Sequence, residues 1–169
     1  MPYVFFGICE YFDIIRDTER GQMMKKNSLK YVTGISAFNI PCYGIQCDWH
    51  MTDMVKTKRF HIHPYNYIGA EEFFGNYGIY DNTAFFLEHG FSNVDKVFVA
   101  NPIRALIDIL YYNIVYKNIY PYFLTLESYL FEDINKEEIS KKLDEFELKI
   151  KNNKKQLKSL RKWRRENGV

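Results

Sequence analysis

The sequence predicts an α+β fold: a small mixed or antiparallel sheet packed by a capped amphipathic helix, with a long C-terminal helix. Three observations predict it. Short runs of β-branched and aromatic residues, bounded by Gly, Pro and Asn, recur through the first hundred positions as strands do. Asn101-Pro102 then opens a run with apolar residues at three- and four-residue spacing, the mark of a core-facing helix. From Asn135 onward, apolar positions step at heptad-like intervals to the basic end of the chain. The organisation expected is a globular domain over 1–134 and a helix over 135–169.

Taken in order, Tyr3–Cys9 reads as a strand or the start of a buried helix, and Gly21 as a break after a charged stretch. Lys30–Phe38 reads as a short helix or strand interrupted by Gly34. Asn39–Cys42 is a loop entry, because a residue preceding proline is pushed out of the helical region. Lys58–His63 alternates, with Phe60 and Ile62 on one face and Arg59, His61 and His63 on the other: a half-buried strand ended by Pro64. Gly69, Gly75 and Gly78 punctuate an aromatic loop, and Val94–Ala100 is a further strand.

The helix after Asn101 starts with the favoured pairing of Asn as N-cap and Pro at the first helical position. Its stripe of Ile103, Leu106, Ile107, Leu110 and Tyr111 faces the core. Arg104 and Asp108, four apart on another face, can pair for about a few tenths of a kcal/mol. Tyr120–Leu130 carries a further short helix. Asn135 followed by Glu137 and Glu138 signals the start of the last helix, whose seam is Ile139, Leu143, Phe146, Ile150, Leu157 and Leu160. Asn153 fills the skipped heptad position, so one continuous helix is expected, as a coiled-coil seam or lying on the body.

Composition narrows the function classes. Hydrophobic residues make up 47% of 169, enough for a core, and no run approaches the ~18 apolar residues of a membrane span. The opening residues lack a basic region and meet Glu10 and Asp13 early, so no signal peptide is expected. Three cysteines fit reduced thiols in a cytoplasm better than a disulfide framework. Aromatics reach 18%, through 14 Tyr and 14 Phe; they suit amphipathic surfaces, or reflect a coding bias toward Tyr, Phe, Asn, Ile and Lys.

Net charge is +2 but unevenly placed. Lys151, Lys154, Lys155, Lys158, Arg161, Lys162, Arg164 and Arg165 stand against Glu166 alone, leaving 15 basic and 20 acidic residues elsewhere. Cations spread over several helical turns can neutralise phosphates and make these eight residues a candidate nucleic-acid surface. The plainer reading is a solvated helix end whose charges complement the C-terminal dipole.

Candidate metal ligands lie in one 22-residue window: Cys42, Cys47, His50, His61 and His63. Thiolates and imidazoles bind zinc, and four converging ligands would close a structural site. An open site with Asp48 nearby would be the catalytic version, a small zinc hydrolase. The order C-x4-C-x2-H-x10-H-x-H matches no common finger spacing. Buried small hydrophobes and solvated histidines explain the same letters without a metal. Asp48 and His50 offer an acid–imidazole pair, with no nucleophile motif around them. The glycines at 69, 75 and 78 lack the order of a phosphate loop and read as turns.

Asn39-Ile-Pro-Cys42 with Asp48-Trp-His50, followed by Val99-Ala-Asn-Pro-Ile-Arg-Ala-Leu-Ile-Asp108, resembles a group of uncharacterised bacterial proteins with NIPC…DWH and VAN-x-IRAL-x-D motifs. The second segment also resembles the C-terminal region of AbiEi-type antitoxins, where a strand meets a helix of the form SPE-x-ALLD; Arg104 stands where that form has an acid. The resemblance implies a bacterial cytoplasmic protein of a toxin–antitoxin or phage-defence locus. It would act by binding a protein partner, or itself, through the C-terminal helix, with nucleic acid as a further partner.

Overall fold

In the computed structural model, which describes residues 29–42, 60–91, 94–129 and 135–169, four three-residue strands form one mixed sheet. They are β1 (Tyr31–Thr33), β2 (His61–His63), β3 (Ile79–Asp81) and β4 (Phe98–Ala100), in the order β2-β1-β4-β3. β1 pairs antiparallel with β2 and parallel with β4, and β3 pairs antiparallel with β4. The fold is α+β. The ambiguity at Lys30–Phe38 resolves as both alternatives: β1 runs to Thr33, and helix α1 (Gly34–Phe38) begins at the glycine.

Registers Tyr31↔His63 and Thr33↔His61 place these four side chains on one face, because successive residues of a strand alternate. Val32, Ile62 and Val99 share the other face and are buried. The expectation of a half-buried β2 is therefore corrected for His63, which is only 4% exposed. The aromatic loop holds a helical turn, α2 (Glu71–Phe74), and β3; α3 (Thr83–Glu88) follows behind Asn82, whose side chain makes no cap hydrogen bond, the Thr83 N–H going to Asp81 Oδ1 instead.

Helix α4 (Pro102–Leu110) covers the Tyr31/Thr33 face and packs on α1. Its cap forms as expected, with Asn101 Oδ1 accepting the Arg104 N–H at 2.8 Å. Every residue of α4 is buried, not one stripe of it, and the helix continues as a π-helical turn over Tyr111–Tyr116. A short α5 (Leu126–Tyr129) falls within the expected Tyr120–Leu130 helix.

The helical C-terminal segment is divided in two. α6 (Lys136–Ile150) starts on Asn135, whose Oδ1 accepts the Glu137 and Glu138 N–H groups. It ends at a turn over Lys151 and Asn152, and α7 (Lys154–Asn167) begins anew. Asn153, expected to continue a heptad, instead caps α7 by accepting from the Gln156 N–H at 3.2 Å. A side-chain oxygen that satisfies an orphan helix donor is worth about 1 kcal/mol and favours a fresh start here. Arg161 meets Glu147, and Arg164 meets Asp144 and Ser140, so the two helices run antiparallel. The expected seam does face the core: Ile139, Leu143, Phe146, Ile150 and Leu160 are buried, with Trp163 beside them, in one cluster with the sheet and α4.

Candidate functional site

Among the described residues, two places gather polar chemistry, one sealed and one displayed. The sealed one is built around Arg104 and Asp108 on α4. Expected as a surface pair, both side chains are 0% exposed, with Arg104 Nε donating to Asp108 Oδ1 at 2.9 Å. The correction has a clear cause: partners from three other segments replace water. Asp108 also accepts from Tyr31 Oη at 3.0 Å, Thr33 Oγ1 at 2.5 Å and the Ala70 N–H at 2.7 Å. Arg104 Nη1 donates to the Gly75 and Tyr77 carbonyls, and Nη2 to Tyr31 Oη.

Burial pulls the Arg104 guanidinium toward neutrality, but Asp108 and Tyr31 outweigh it and hold the cation above its ordinary pKa. Burial, reinforced by Asp108, pushes the Tyr31 phenol far up, so it stays a donor. The cluster also dictates two glycines. A Cβ on Gly69 would lie 2.5 Å from Tyr31 Oη and 2.9 Å from the Asp108 carboxylate. At Gly78, with φ +70°, a Cβ would lie 2.7 Å from Arg104 Cβ. Gly75 and Gly78 are the turns expected of them; Gly69 is small because a carboxylate occupies its side-chain space.

His63 borders this cluster. Its Nδ1 accepts the Gly69 N–H at 2.9 Å and its Nε2 faces Glu71 Oε2 at 3.1 Å. Acceptance at Nδ1 makes the ring the neutral Nε2–H tautomer. Burial lowers its pKa, against the opposing pull of Glu71. His61 is half-buried, its pKa is also lowered by burial, and its Nδ1 has no hydrogen-bond partner among the described residues. The His61 ring opens a ladder through Tyr67 and Tyr112 to Tyr116, at centroid spacings of 4.9, 4.2 and 5.5 Å.

Of the other candidate metal ligands, Cys42 is buried and burial raises its thiol pKa, holding it away from the thiolate that binds metal. Cys47 and His50, with Asp48, lie outside the described residues, as do the Tyr3–Cys9 segment and Gly21. Among the described residues, no group of three or more His, Cys, Asp or Glu side chains converges as a metal would require.

The displayed place is the outward face of α7. Arg164 turns inward to Asp144, Glu147 and Ser140; Arg161 pairs with Glu147 and Lys162 with Glu166. Lys151, Lys154, Lys155, Lys158 and Arg165 are exposed and make no ion pair among the described residues. At ~100° per residue, Lys154, Lys155, Lys158, Arg161, Lys162 and Arg165 fall within about 120° of arc, opposite buried Leu160 and Trp163.

The segment 115–126, whose role the sequence did not reveal, is anchored on the side of α7 away from that face and reaches its edge at Lys162. Gln156 Nε2 donates to the Val115 carbonyl, Trp163 Nε1 to the Leu124 carbonyl at 2.8 Å, and the Leu126 N–H to Asn167. The segment thereby follows α7 from its first turn to its last. Lys162 Nζ sits 4.3 Å from the Tyr120 ring centroid and 5.2 Å from that of Tyr122, and Lys117 lies over Tyr112 and Tyr116. Tyr122 is 78% exposed, and Tyr116, Ile119 and Phe123 are each more than half exposed. Pro121 between aromatics was the available signal: a proline-pinned loop bearing rings that the core does not need.

No helix among the described residues is long and apolar enough to cross a membrane. Compared with family models, with curated proteins and with solved structures, the chain matches none.

Proposed function

We propose that this chain is a non-enzymatic binding protein of a bacterial conflict system, antitoxin-like and cytoplasmic, that engages a protein partner and carries a nucleic-acid surface on its C-terminal hairpin. The observation that supports this reading most is the saturation of the Arg104–Asp108 cluster. The charged residues of the VAN-x-IRAL-x-D motif are fully buried and hydrogen-bonded to the protein itself, which suits architecture and leaves no acid or cation poised for a substrate. Among the described residues, the exposed groups that could meet a partner include the cations of α7, the rings of 116–123, Leu87, and Leu148, 67% exposed on α6.

Co-expression with the product of the neighbouring gene, followed by size-exclusion chromatography with light scattering, tests the proposal. The expected result is a stable complex and no turnover by the chain alone. A protein that stays monomeric and binds neither that product nor a polynucleotide would sink it.

A zinc site in the Cys/His window is the second reading, structural or hydrolytic, and the unpartnered Nδ1 of His61 is the observation that favours it. About one zinc per chain by elemental analysis, with a large fall in melting temperature on chelation, is expected of a structural site. Metal that is dispensable for folding would point to the hydrolase, and metal-free protein would retire both.

A further inference from the structure

Folding accounts for Arg161 and Lys162 on the cationic face of α7, through Glu147 and Glu166, but not for Lys154, Lys155, Lys158 and Arg165. A helix N-terminus favours acids, because its orphan N–H groups and dipole are positive there. α7 instead opens with Lys154 and Lys155 and has no acid in its first turn. Along the same face Lys154 and Lys158, Lys158 and Lys162, and Arg161 and Arg165 are like-charged pairs four residues apart, each of which destabilises a helix. Only Arg164 and Arg165 lie in the last turn, where the dipole welcomes cations. A surface that opposes local stability in this way marks a site kept for something else.

We infer that this face, with the aromatic segment beside it, binds single-stranded nucleic acid: the cations take phosphates while Tyr122 and Phe123 stack on bases. The inference deepens the proposed function, since it rests on the reading of the basic hairpin as a nucleic-acid surface. Charge complementarity selects a polyanion, and Lys154 to Arg165 spans about 16 Å at a ~1.5 Å rise per residue, room for consecutive phosphates of one strand. The rings select the single-stranded form. Exposed aromatics flanking a cationic track are the stacking platforms of single-strand binders, whereas a duplex keeps its base faces stacked on one another. Lys162 sits against two of the rings, joining platform and track. Tyr116 with Lys117 repeats the pairing of ring and cation earlier in the same segment.

Fluorescence anisotropy with the full chain tests this, using fluorescein-labelled oligo(dT), oligo(U) and a duplex of equal length across a salt series. Binding of either single strand more tightly than the duplex is expected, weakening with salt. Y122A/F123A should weaken it at least about 30-fold with the salt slope unchanged, as loss of two base-stacking rings does. K154Q/K155Q/K158Q/R165Q should flatten the slope, by about 0.7 for each phosphate no longer neutralised. Neither variant should lower the melting temperature, because the altered side chains are exposed. Equal or tighter duplex binding, or wild-type affinity in Y122A/F123A, would overturn the inference while leaving a nucleic-acid surface in place. Equal binding of poly-glutamate would give the face to an acidic protein. No binding of any of these polyanions at low salt would overturn the inference and the nucleic-acid part of the proposed function together.

Discussion

Arg104 and Arg165 are the same residue type in helices of the same chain, and their surroundings could hardly differ more. Arg104 has exchanged all its water for one carboxylate, two carbonyls and a phenol; Arg165 is exposed and has no ion pair among the described residues. A buried cation is tolerated only when paired and hydrogen-bonded, so Arg104 must be architecture. An exposed cation costs little alone, but a row of them at helical spacing repels itself. The contrast teaches that charge inside this protein is fully paired with the protein itself, while Lys154, Lys155, Lys158 and Arg165 on the outside are left to solvent among the described residues.

The hardest way to break the comparison is to unpair the inside. Asp108→Ala leaves the Arg104 guanidinium buried without its anion and strips Tyr31, Thr33 and Ala70 of their acceptor. Removing one partner of a buried pair costs about 3–5 kcal/mol. At roughly 2–4 °C per kcal/mol for a chain of this size, the melting temperature should fall by about 6–20 °C. A change of a degree or two by calorimetry would mean the cluster is not the keystone its geometry describes.

Next in size is Gly69→Ala, which adds one methyl where Tyr31 Oη and the Asp108 carboxylate already stand. Both obstacles are bonded in place, so the expected loss is that of overpacking, about 1–3 kcal/mol. An unchanged denaturation midpoint would show that the cluster can shift to make room.

pH probes the border of the sealed region. His63 and His61 are held neutral, chiefly by burial, so their folded pKa values lie below the ordinary 6.5. Below about pH 6.5 the unfolded chain binds protons that the folded chain refuses. Stability should therefore be fully present above pH 6.5 and fall as pH drops from there toward the depressed folded values. Protonation of His63 also turns Nδ1 from an acceptor into a donor facing the Gly69 N–H. Melting curves between pH 7.5 and 5 should show this decline, and His63→Gln should make it shallower; an equal slope in that variant would move the effect elsewhere.

Legibility in the sequence follows the range of the interaction. The Asn101 and Asn135 caps were readable because cap and capped N–H lie within three residues. The burial of Arg104 was not, since a charged pair four apart on a helix reads as surface, and the partner that reverses this, Tyr31, lies 73 positions away. Asn153 shows a subtler limit. The same letter continues a heptad or caps a new helix, and only the packing of both helices on one core selects the cap. The basic residues were visible as a cluster. Their conflict with the dipole emerged only once a helix was seen to start at Lys154, because the expected continuous helix put the whole cluster at a C-terminal end. Cys47 and His50 lie outside the described residues, so the Cys/His window rests on its sequence and on His61.

The smallest expected effect sharpens the comparison most, because its two readouts should move in opposite directions. Lys154→Glu/Lys155→Glu puts acids at the first turn of α7, where the dipole and the orphan N–H groups favour them, and removes a like-charge repulsion with Lys158. Each acid in such a place is worth ~0.3–1 kcal/mol, so the melting temperature should rise by a few degrees at low salt and the gain should shrink as salt is added. The same change removes two cations from the proposed phosphate track and adds repulsion, so oligonucleotide affinity should drop. A face that existed only to be solvated would gain the stability and lose nothing. A variant that is both more stable and poorer at binding would be the trade expected where local stability has been given up for function. Loss of stability on this exchange would instead mean that Lys154 and Lys155 hold the hairpin together, placing them with Arg104 on the architectural side.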